Sequence, residues 1–217
     1  MPKPSTETRL ALLRAAERLF AERGVDAVSM REIAAAAGQA NHSAVLYHFN
    51  DKRELINAML DRHSGPLQAA WLLALNGPAA PSHHKLEELV NLMVRPIVAL
   101  LDDPDGGTDY LLIVAELVTS RSFPVTELPA AAAPGIQALT AAMMAQMAPF
   151  PVHLLPLRMM RAAAVMYCSI NDYHRLTRAG FAIPREDFVT DLVASLVGLL
   201  GRTSSPVLAK GARTRKT

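Results

Sequence analysis

Residues 29–49 read SMREIAAAAGQANHSAVLYHF, two short helical patterns separated by a glycine. Ser29 is followed three residues later by Glu32, which matches a capping box and predicts that a helix begins there. Gly38 predicts the end of this helix, because glycine readily adopts the left-handed conformation that closes helices. Asn41 is a favourable N-cap for a second helix. The segment therefore predicts two short helices joined by a tight turn.

A longer helix is predicted on the N-terminal side of this pair. Between Thr6 and Arg23 apolar residues recur at helical spacing, and Gly24 follows as a stop signal. Another helix is predicted to begin after Asn50 or Asp51, either of which can act as its cap. Two short helices with a glycine-containing turn, braced by a longer helix, form the arrangement that places the second helix in the DNA major groove.

The composition of the 217 residues excludes several protein classes. Hydrophobic residues make up 51% of the chain and aromatic residues only 5%, a balance that, together with abundant alanine, predicts an all-α protein with a real core. The apolar runs are too short to span a membrane and no signal peptide is recognised, so a cytoplasmic protein without membrane contact is predicted. The single Cys168 excludes an intrachain disulfide and a cysteine metal cluster. No cofactor or metal site is predicted.

The formal charge of +2 is unevenly distributed along the chain. Residues 1–63 carry a net charge of +1, residues 64–201 carry −4 and residues 202–217 carry +5. Only the tail is strongly basic, so a case for nucleic-acid binding must come from particular residues. The tail is predicted to be disordered, and it could add nonspecific attraction to DNA.

A combined pattern of helix faces, caps and stops fills the N-terminal segment. Its residues are Leu12, Ala15, Ala16, Leu19, Phe20, Gly24, Ser29, Ile33, Ala34, Ala37, Gly38, Tyr47, His48, Phe49, Lys52 and Leu55. Over about residues 6–60 this pattern resembles the DNA-binding domain of the TetR family of bacterial transcriptional regulators. The resemblance implies a three-helix DNA-binding domain with a helix-turn-helix in residues 1–50. It also implies a larger helical domain for effector binding and dimerisation in residues 51–201, followed by the tail.

The resemblance and the side-chain chemistry together predict which residues contact DNA. Side chains at the exposed start of a recognition helix can reach base edges, whereas Tyr47, His48 and Lys52 occupy positions that contact phosphates in the family. Leu46 either touches a thymine methyl or turns into the core, and Ser29 either only caps its helix or also touches a phosphate. The predicted DNA-binding residues are Ser29, Gln39, Asn41, His42, Ser43, Leu46, Tyr47, His48 and Lys52.

The turn departs from the family pattern by one residue. Counted backward from Phe49, Asn41 stands at the usual cap position, but counted forward from Gly38 it comes one residue late. One extra residue, at Gln39 or Ala40, accounts for both counts, so the following helix keeps its length. Phe49 itself is predicted to be a core residue.

Residues 51–201 are predicted to contain a mostly apolar pocket. The run from Ser64 to Pro66 predicts a kink or break in the first helix, which is either a plain joint or a hinge that ligand binding moves. Pro96 lies inside another predicted helix and leaves the carbonyl of Leu92 without its donor, which can shape a cavity wall. Flexible methionines suit an adaptable apolar pocket. The predicted ligand-binding residues are Trp71, Met93, Leu112, Glu116, Met143, Met147, Met166, Tyr167 and Asn171.

The last two helices predict a second copy of the chain as a partner. No charged residue occurs between Ala162 and Ile170, and a helix that is apolar on all sides must be covered on all sides. The helix after Pro184 carries a wide apolar stripe, and Ala194 and Gly198 would let another helix approach closely. Pairing of both helices across a two-fold axis is predicted, and the family resemblance implies it too. Such a homodimer would read a roughly palindromic operator.

The predicted function is a homodimeric transcriptional repressor that a small, largely apolar effector releases from a double-stranded DNA operator. One alternative is a constitutive DNA-binding protein, which a solidly packed C-terminal domain would favour. The other is an all-helical enzyme, but the chain contains no phosphate loop, no G-x-S-x-G motif and no H-E-x-x-H motif. Tyr167, Asn171 and His174 share one helix face, which could serve a pocket, a dimer seam or catalysis. No catalytic residue is predicted.

Overall fold

The computed structural model describes residues 6–39, 43–77, 85–120, 122, 133–147 and 150–201. Within these ranges every regular element is an α-helix or a short 3-10 turn, which confirms the all-α prediction. No described helix is both long and apolar enough to cross a membrane. The tail 202–217 lies outside the described residues. The helices are α1 Thr6–Arg23, α2 Met30–Ala36, α3 Ser43–His48, α4 Lys52–Asn76, α5 Leu86–Ala99, α6 Gly107–Leu117, α7 Pro134–Gln146, α8 Leu155–Arg178 and α9 Arg185–Gly201.

The first three helices pack around the apolar faces that the sequence predicts. Gly24, at φ +85°, ends α1 as predicted. Helix α2 contacts both α1 and α3. Leu12, Ile33, Val45 and Phe49 are fully buried, so these helices share one core, and the prediction that Phe49 is a core residue is confirmed.

Helix α4 runs without interruption through the segment from Ser64 to Pro66, so the predicted break there is wrong. Gly65 and Pro66 are exposed, and the carbonyl that loses its donor to the proline therefore lies on the water-facing side. Leu67 and Trp71 are buried beyond it. Packing of this inner face holds the helix together where local propensity alone would end it.

Helix α5 also contains a proline, Pro96, as predicted. A proline at this position cannot donate to the carbonyl of Leu92, four residues earlier. The indole Nε1 of Trp71, on α4, donates a hydrogen bond to that carbonyl at 3.0 Å. A side chain from the neighbouring helix thus replaces the lost backbone bond and fixes α4 against α5.

Helices α8 and α9 complete the larger domain. Helix α9 packs against both α5 and α8, and its wide apolar stripe serves these two partners. The width of the stripe is thus no evidence for a second chain, in contrast to the reasoning from sequence. On the opposite face Ala194 and Gly198 are exposed. In the uncharged part of α8, Ala162 and Met166 are buried whereas Val165 is 39% exposed, so the described residues cover only one side of it.

Candidate nucleic-acid interface and helical cavity

Helix α2 is held at both ends by short-range hydrogen bonds. The backbone N–H of Ser29 donates to the Glu32 carboxylate at 2.8 Å, and the backbone N–H of Glu32 donates to the Ser29 hydroxyl at 3.3 Å, which confirms the predicted capping box. At the other end Gly38 has φ +71°, and the backbone N–H of Gln39 donates to the carbonyl of Ala34 at 3.0 Å. These bonds fix the direction in which the chain leaves α2 toward α3.

Helix α3 has one buried face and one exposed face. Val45 and the adjoining Phe49 are buried, whereas Leu46 is 56% and Tyr47 is 54% exposed. A core position is thereby excluded for Leu46 and Tyr47. His48 is half-buried, and its ring meets that of Tyr47 edge to face at a centroid distance of 5.9 Å. Adjacent large side chains left in water form the kind of surface that a partner covers.

The electrostatics around α3 leave an uncharged imidazole beside this exposed face. Burial lowers the pKa of His48, and the guanidinium of Arg9 lowers it further. The neutral imidazole therefore predominates at pH 7, where it can accept one hydrogen bond and donate another.

Lys52 is the first residue of α4, and Asp51 caps that helix by accepting a hydrogen bond from the backbone N–H of Glu54 at 2.8 Å. The ammonium of Lys52 lies 5.5 Å from the centre of the Phe20 ring. Burial lowers the pKa of Lys52, and nearby carboxylates offset this only in part. The cation is thus held against the core of the first three helices at the start of α4.

Ser29 uses its polar groups within α2. Its hydroxyl accepts the hydrogen bond from the Glu32 backbone and donates to the Glu32 carboxylate at 2.7 Å. Hydrogen bonds from the Ser29 backbone and hydroxyl, together with Arg23, lower the pKa of Glu32 to about 2. Capping accounts for every bond that the structure gives Ser29, so its predicted phosphate contact stays a prediction.

The centre of the predicted interface falls partly outside the described residues. Asn41 and His42 lie outside them, and of Ser43 only the backbone is described, at the start of α3. Ala40 lies outside as well, so the extra turn residue stays a prediction. The Gln39 side chain is half-buried and donates to the carbonyl of Ala37 at 3.4 Å.

A cavity of about 240 Å³ lies among α4, α5, α6, α7 and α8, and is called here the five-helix cavity. Its polar lining consists of Ser64, Gln68, Tyr110, Thr140 and Tyr167, none of which carries a charge at pH 7. The apolar wall includes Leu60, Leu67, Trp71, Met93, Ile97, Val114, Met159, Met160 and Met166.

The predicted ligand-binding residues fall into three places. Met143 and Met147 are buried in the hydrophobic core and do not line the five-helix cavity. Leu112, Glu116 and Asn171 line a separate open groove between α1, α6 and α8. The residues that do line the five-helix cavity are Trp71, Met93, Met166 and Tyr167.

Glu116 is engaged by the chain itself. Its two carboxylate oxygens accept hydrogen bonds from the backbone N–H of Val25 at 2.9 and 3.1 Å. Val25 directly follows the glycine that ends α1. Glu116 therefore ties α6 to the end of α1, and this contact, rather than a ligand, accounts for a carboxylate in an apolar helix.

Comparison with known proteins identifies the N-terminal segment. A family model described as bacterial regulatory proteins, tetR family, matches residues 12–59, which include α2, α3 and most of α1. Residues 12–59 are thus similar to the DNA-binding part of the TetR family. The HTH-type transcriptional repressor Rv3405c of Mycobacterium tuberculosis is 40% identical over 102 residues, which are 47% of this chain and 51% of that protein. The chain thus spans about half the length of that relative.

Two solved structures share the fold along most of the chain. A TetR-family transcription regulator from Shewanella sp. PV-4 has a TM-score of 0.60 at 15% identity and covers 87% of this chain and 95% of its own. The structure of RolR in complex with resorcinol has a TM-score of 0.52 at 18% identity and covers 96% and 94%, respectively. At these identities the likeness concerns the fold alone.

A charged cluster, buried at Glu17 and His63, joins the first three helices to the rest of the chain, and the sequence pattern did not reveal it. Glu17 on α1 is 3% exposed and accepts a hydrogen bond from Arg62 on α4. The Nε2 of His63 lies 3.3 Å from Glu17 Oε1. Arg62 also donates to the carbonyl of Asp105 at 2.7 Å, and the ring of His63 packs at a tilt of 34° against that of Tyr110 on α6, with a centroid distance of 4.9 Å. These five residues form the junction cluster.

Gly106 is shaped to this cluster. It adopts φ +93° directly before α6, and an added Cβ would lie 2.9 Å from Glu17 Oε2. The available signal in the sequence was the position of Glu17, which lies four residues after Leu13 and three before Phe20 and hence on the inner face of α1. Its partners come from distant segments, so spacing could not have identified them.

Proposed function

We propose that this protein is a DNA-binding transcriptional repressor. The observation that carries the proposal is the exposed pair Leu46 and Tyr47 on α3, held outward by the buried Val45 and Phe49. The second helix of a helix-turn-helix enters the major groove with such side chains at the base edges. The match to the regulatory family and the repressor name of the mycobacterial relative support the same function. A repressor that acts on DNA would reside in the cytoplasm.

The chemistry of each side chain suggests whether it contacts a base or a phosphate. Leu46 offers an apolar contact for a thymine methyl, and Tyr47 and the neutral His48 offer hydrogen bonds to a base edge or a phosphate. Lys52 adds positive charge at the N-terminus of α4, where backbone amides also favour phosphate. The start of α3 would read bases. The residues before or at that start are Gln39, Asn41, His42 and Ser43.

A homodimer through α8 and α9 completes the proposal. The exposed Val165 on α8 and the small Ala194 and Gly198 on the outer face of α9 allow two copies to pack closely. Two copies of α3 related by a two-fold axis would then read a roughly palindromic operator.

A small effector that binds in the five-helix cavity would release the DNA. The cavity itself supports this over constitutive binding, and RolR, a structural neighbour, binds resorcinol. Tyr110 lines the cavity and its ring packs against that of His63, which lies beside Glu17 of α1. A ligand that moves Tyr110 would therefore act on α1 through the junction cluster, provided that it prefers one of two conformations.

Selection of bound duplexes from a random DNA pool tests the DNA-binding proposal. We expect an enriched, roughly palindromic sequence. On that duplex Leu46→Ala should weaken binding about tenfold, as loss of a direct base contact would. Lys52→Ala should weaken binding to all sequences and lower the salt dependence.

Leu73→Ala is the matched control, because Leu73 is a leucine on α4 that is 70% exposed. It should bind the selected duplex as the parent chain does. Equal affinities for the Leu46→Ala and parent proteins, or no enriched sequence, would contradict the proposal.

The oligomeric state is tested by sedimentation of the full chain. We expect a dimer, and Val165→Glu on α8 should produce monomers because it buries a charge at the seam. Leu73→Glu should leave the dimer intact. A parent chain that sediments as a monomer would exclude the two-fold arrangement.

A further inference from the structure

The five-helix cavity contains a hydrogen-bond donor without an acceptor. Tyr110 and Tyr167 both line the cavity, and each affects the pKa of the other. Two phenols bring two hydroxyl hydrogens, and a bond between the two hydroxyls would use only one. Within the described part of the chain, neither hydroxyl donates to any other residue. One hydrogen of this tyrosine pair therefore remains available to a molecule in the cavity.

The lining also sets the charge of that molecule. The described residues around the cavity include no Asp, Glu, Lys, Arg or His. Burial raises the pKa of Tyr110 well above its usual value and that of Tyr167 to about 12, so both tyrosines remain neutral at physiological pH. A carboxylate or an ammonium would lose its hydration here and gain no counter-ion. The cavity thus selects an uncharged ligand.

Volume and wall chemistry narrow the choice further. A dry apolar cavity of about 150 Å³ holds one benzene molecule, so about 240 Å³ accommodates a ring with a few substituent atoms. Met93, Met159 and Met166 surround the space together with the Trp71 ring. Thioether sulfurs make favourable contacts with aromatic rings and adapt to their outline. A single aromatic ring matches both the size and the wall.

We propose that the effector is a neutral molecule with one aromatic ring and one carbonyl-type oxygen, which accepts the spare hydrogen of the Tyr110–Tyr167 pair. The identification of this ligand as the effector rests on the proposed function, whereas its chemical class rests on the cavity alone. The ring fills the apolar end beside Trp71, and the oxygen lies at the tyrosine pair.

The class is tested by calorimetric titration of the full-length protein with three small probes. Acetophenone has the ring and the acceptor, ethylbenzene has the ring without the acceptor, and benzoate has the ring with a charge. We expect acetophenone and ethylbenzene to bind and benzoate to bind at least tenfold more weakly than acetophenone, because of its desolvation. Benzoate binding as tight as that of acetophenone would overturn the proposal.

The role of the hydroxyls is tested by the double variant Tyr110→Phe/Tyr167→Phe. Each single variant still leaves one hydroxyl hydrogen, so only the double variant removes the donor. The double variant should bind acetophenone about tenfold more weakly than the parent protein does, because one net hydrogen bond is lost. Its affinity for ethylbenzene should stay within about threefold of the parent value. Tyr173→Phe, whose hydroxyl donates to Ile183 outside the cavity, should change neither probe. If the double variant lost affinity for both acetophenone and ethylbenzene, or for neither, the assignment of the donor to the tyrosine pair would be contradicted.

A spectroscopic measurement on the parent protein keeps the test independent of any variant. The carbonyl stretch of bound acetophenone should move to lower frequency than in an alkane, as it does when the oxygen accepts a hydrogen bond. An alkane-like frequency would overturn the proposal. DNA affinity is then measured with saturating acetophenone: unchanged DNA binding would contradict the effector role, whereas the ligand class is judged by the titrations alone.

Discussion

Helix α3 and the five-helix cavity place similar side chains in opposite settings. On α3 the large residues Leu46 and Tyr47 point into water, because Val45 and Phe49 fill the core beneath them. In the cavity large apolar residues surround a space that the described residues leave unfilled. The first surface suits a rigid partner that approaches from outside, and the second suits a small molecule that the helices enclose. The junction cluster lies between the two.

The contrast is sharpest between two aromatic residues of the α3 segment. Phe49→Ala should lower the free energy of unfolding by about 3–5 kcal/mol, since it empties a fully buried position. Tyr47→Ala should change stability little and instead weaken operator binding. Urea unfolding and DNA titration of both variants check this. A strongly destabilised Tyr47→Ala protein would show that α3 has no free face.

The junction cluster can be broken from α4. Arg62→Met leaves the carboxylate of Glu17 buried with its main partner removed, and should destabilise the chain by about 3 kcal/mol. Arg95→Met removes an ion pair with Glu186 in which both side chains are largely exposed, and should leave unfolding nearly unchanged. Chemical denaturation compares the two. Similar losses would mean that the cluster contributes no more than a surface pair.

The wall of the cavity is tested at Trp71. Trp71→Phe leaves the Leu92 carbonyl without a donor and should cost about 1–2 kcal/mol. Pro96→Ala restores a backbone N–H at that carbonyl, so it should recover part of this loss. A double-mutant cycle by urea unfolding measures the coupling. Strictly additive effects would show that the indole bond does not substitute for the backbone bond.

The smallest effect concerns alkaline pH. Tyr167 has a pKa of about 12 in the folded chain, raised by burial, against about 10 when unfolded. A raised pKa adds stability below pH 10, and this stability is lost as the pH rises from 10 through 12. Tyr167→Phe should therefore lose less stability than the parent chain between pH 9 and 11.5. Unfolding curves at each pH test this, and identical pH profiles would exclude a buried neutral phenol.

Short-range signals in the sequence were sufficient for the N-terminal unit. Ser29 with Glu32 and the glycines Gly24 and Gly38 act within a few residues, so their spacing determined where helices begin and end. The same local rules gave a break at Pro66 that the structure does not contain, because packing of the inner face of α4 outweighs the missing backbone donor.

The remaining features depend on residues that are distant in the chain. Glu17 could be recognised as a charge on an inner face, but Arg62 and His63 could not be named as its partners. Met93 and Met166 were predicted as cavity residues on their flexibility, and the same reasoning also selected Met143, which is a core residue. Residue type alone does not distinguish a wall from a core, because that depends on which helices enclose the space.

The bond between Glu116 and Val25 bears on any attempt to build hybrid regulators from this protein. A swap that transplants residues 1–50 onto a foreign effector module would leave the Val25 amide without its carboxylate and Glu17 without Arg62. Grafting would succeed only if the donor segment extended well into α4 and the recipient supplied an acidic side chain at the position of Glu116. The unit of exchange is thus larger than the segment proposed to contact DNA.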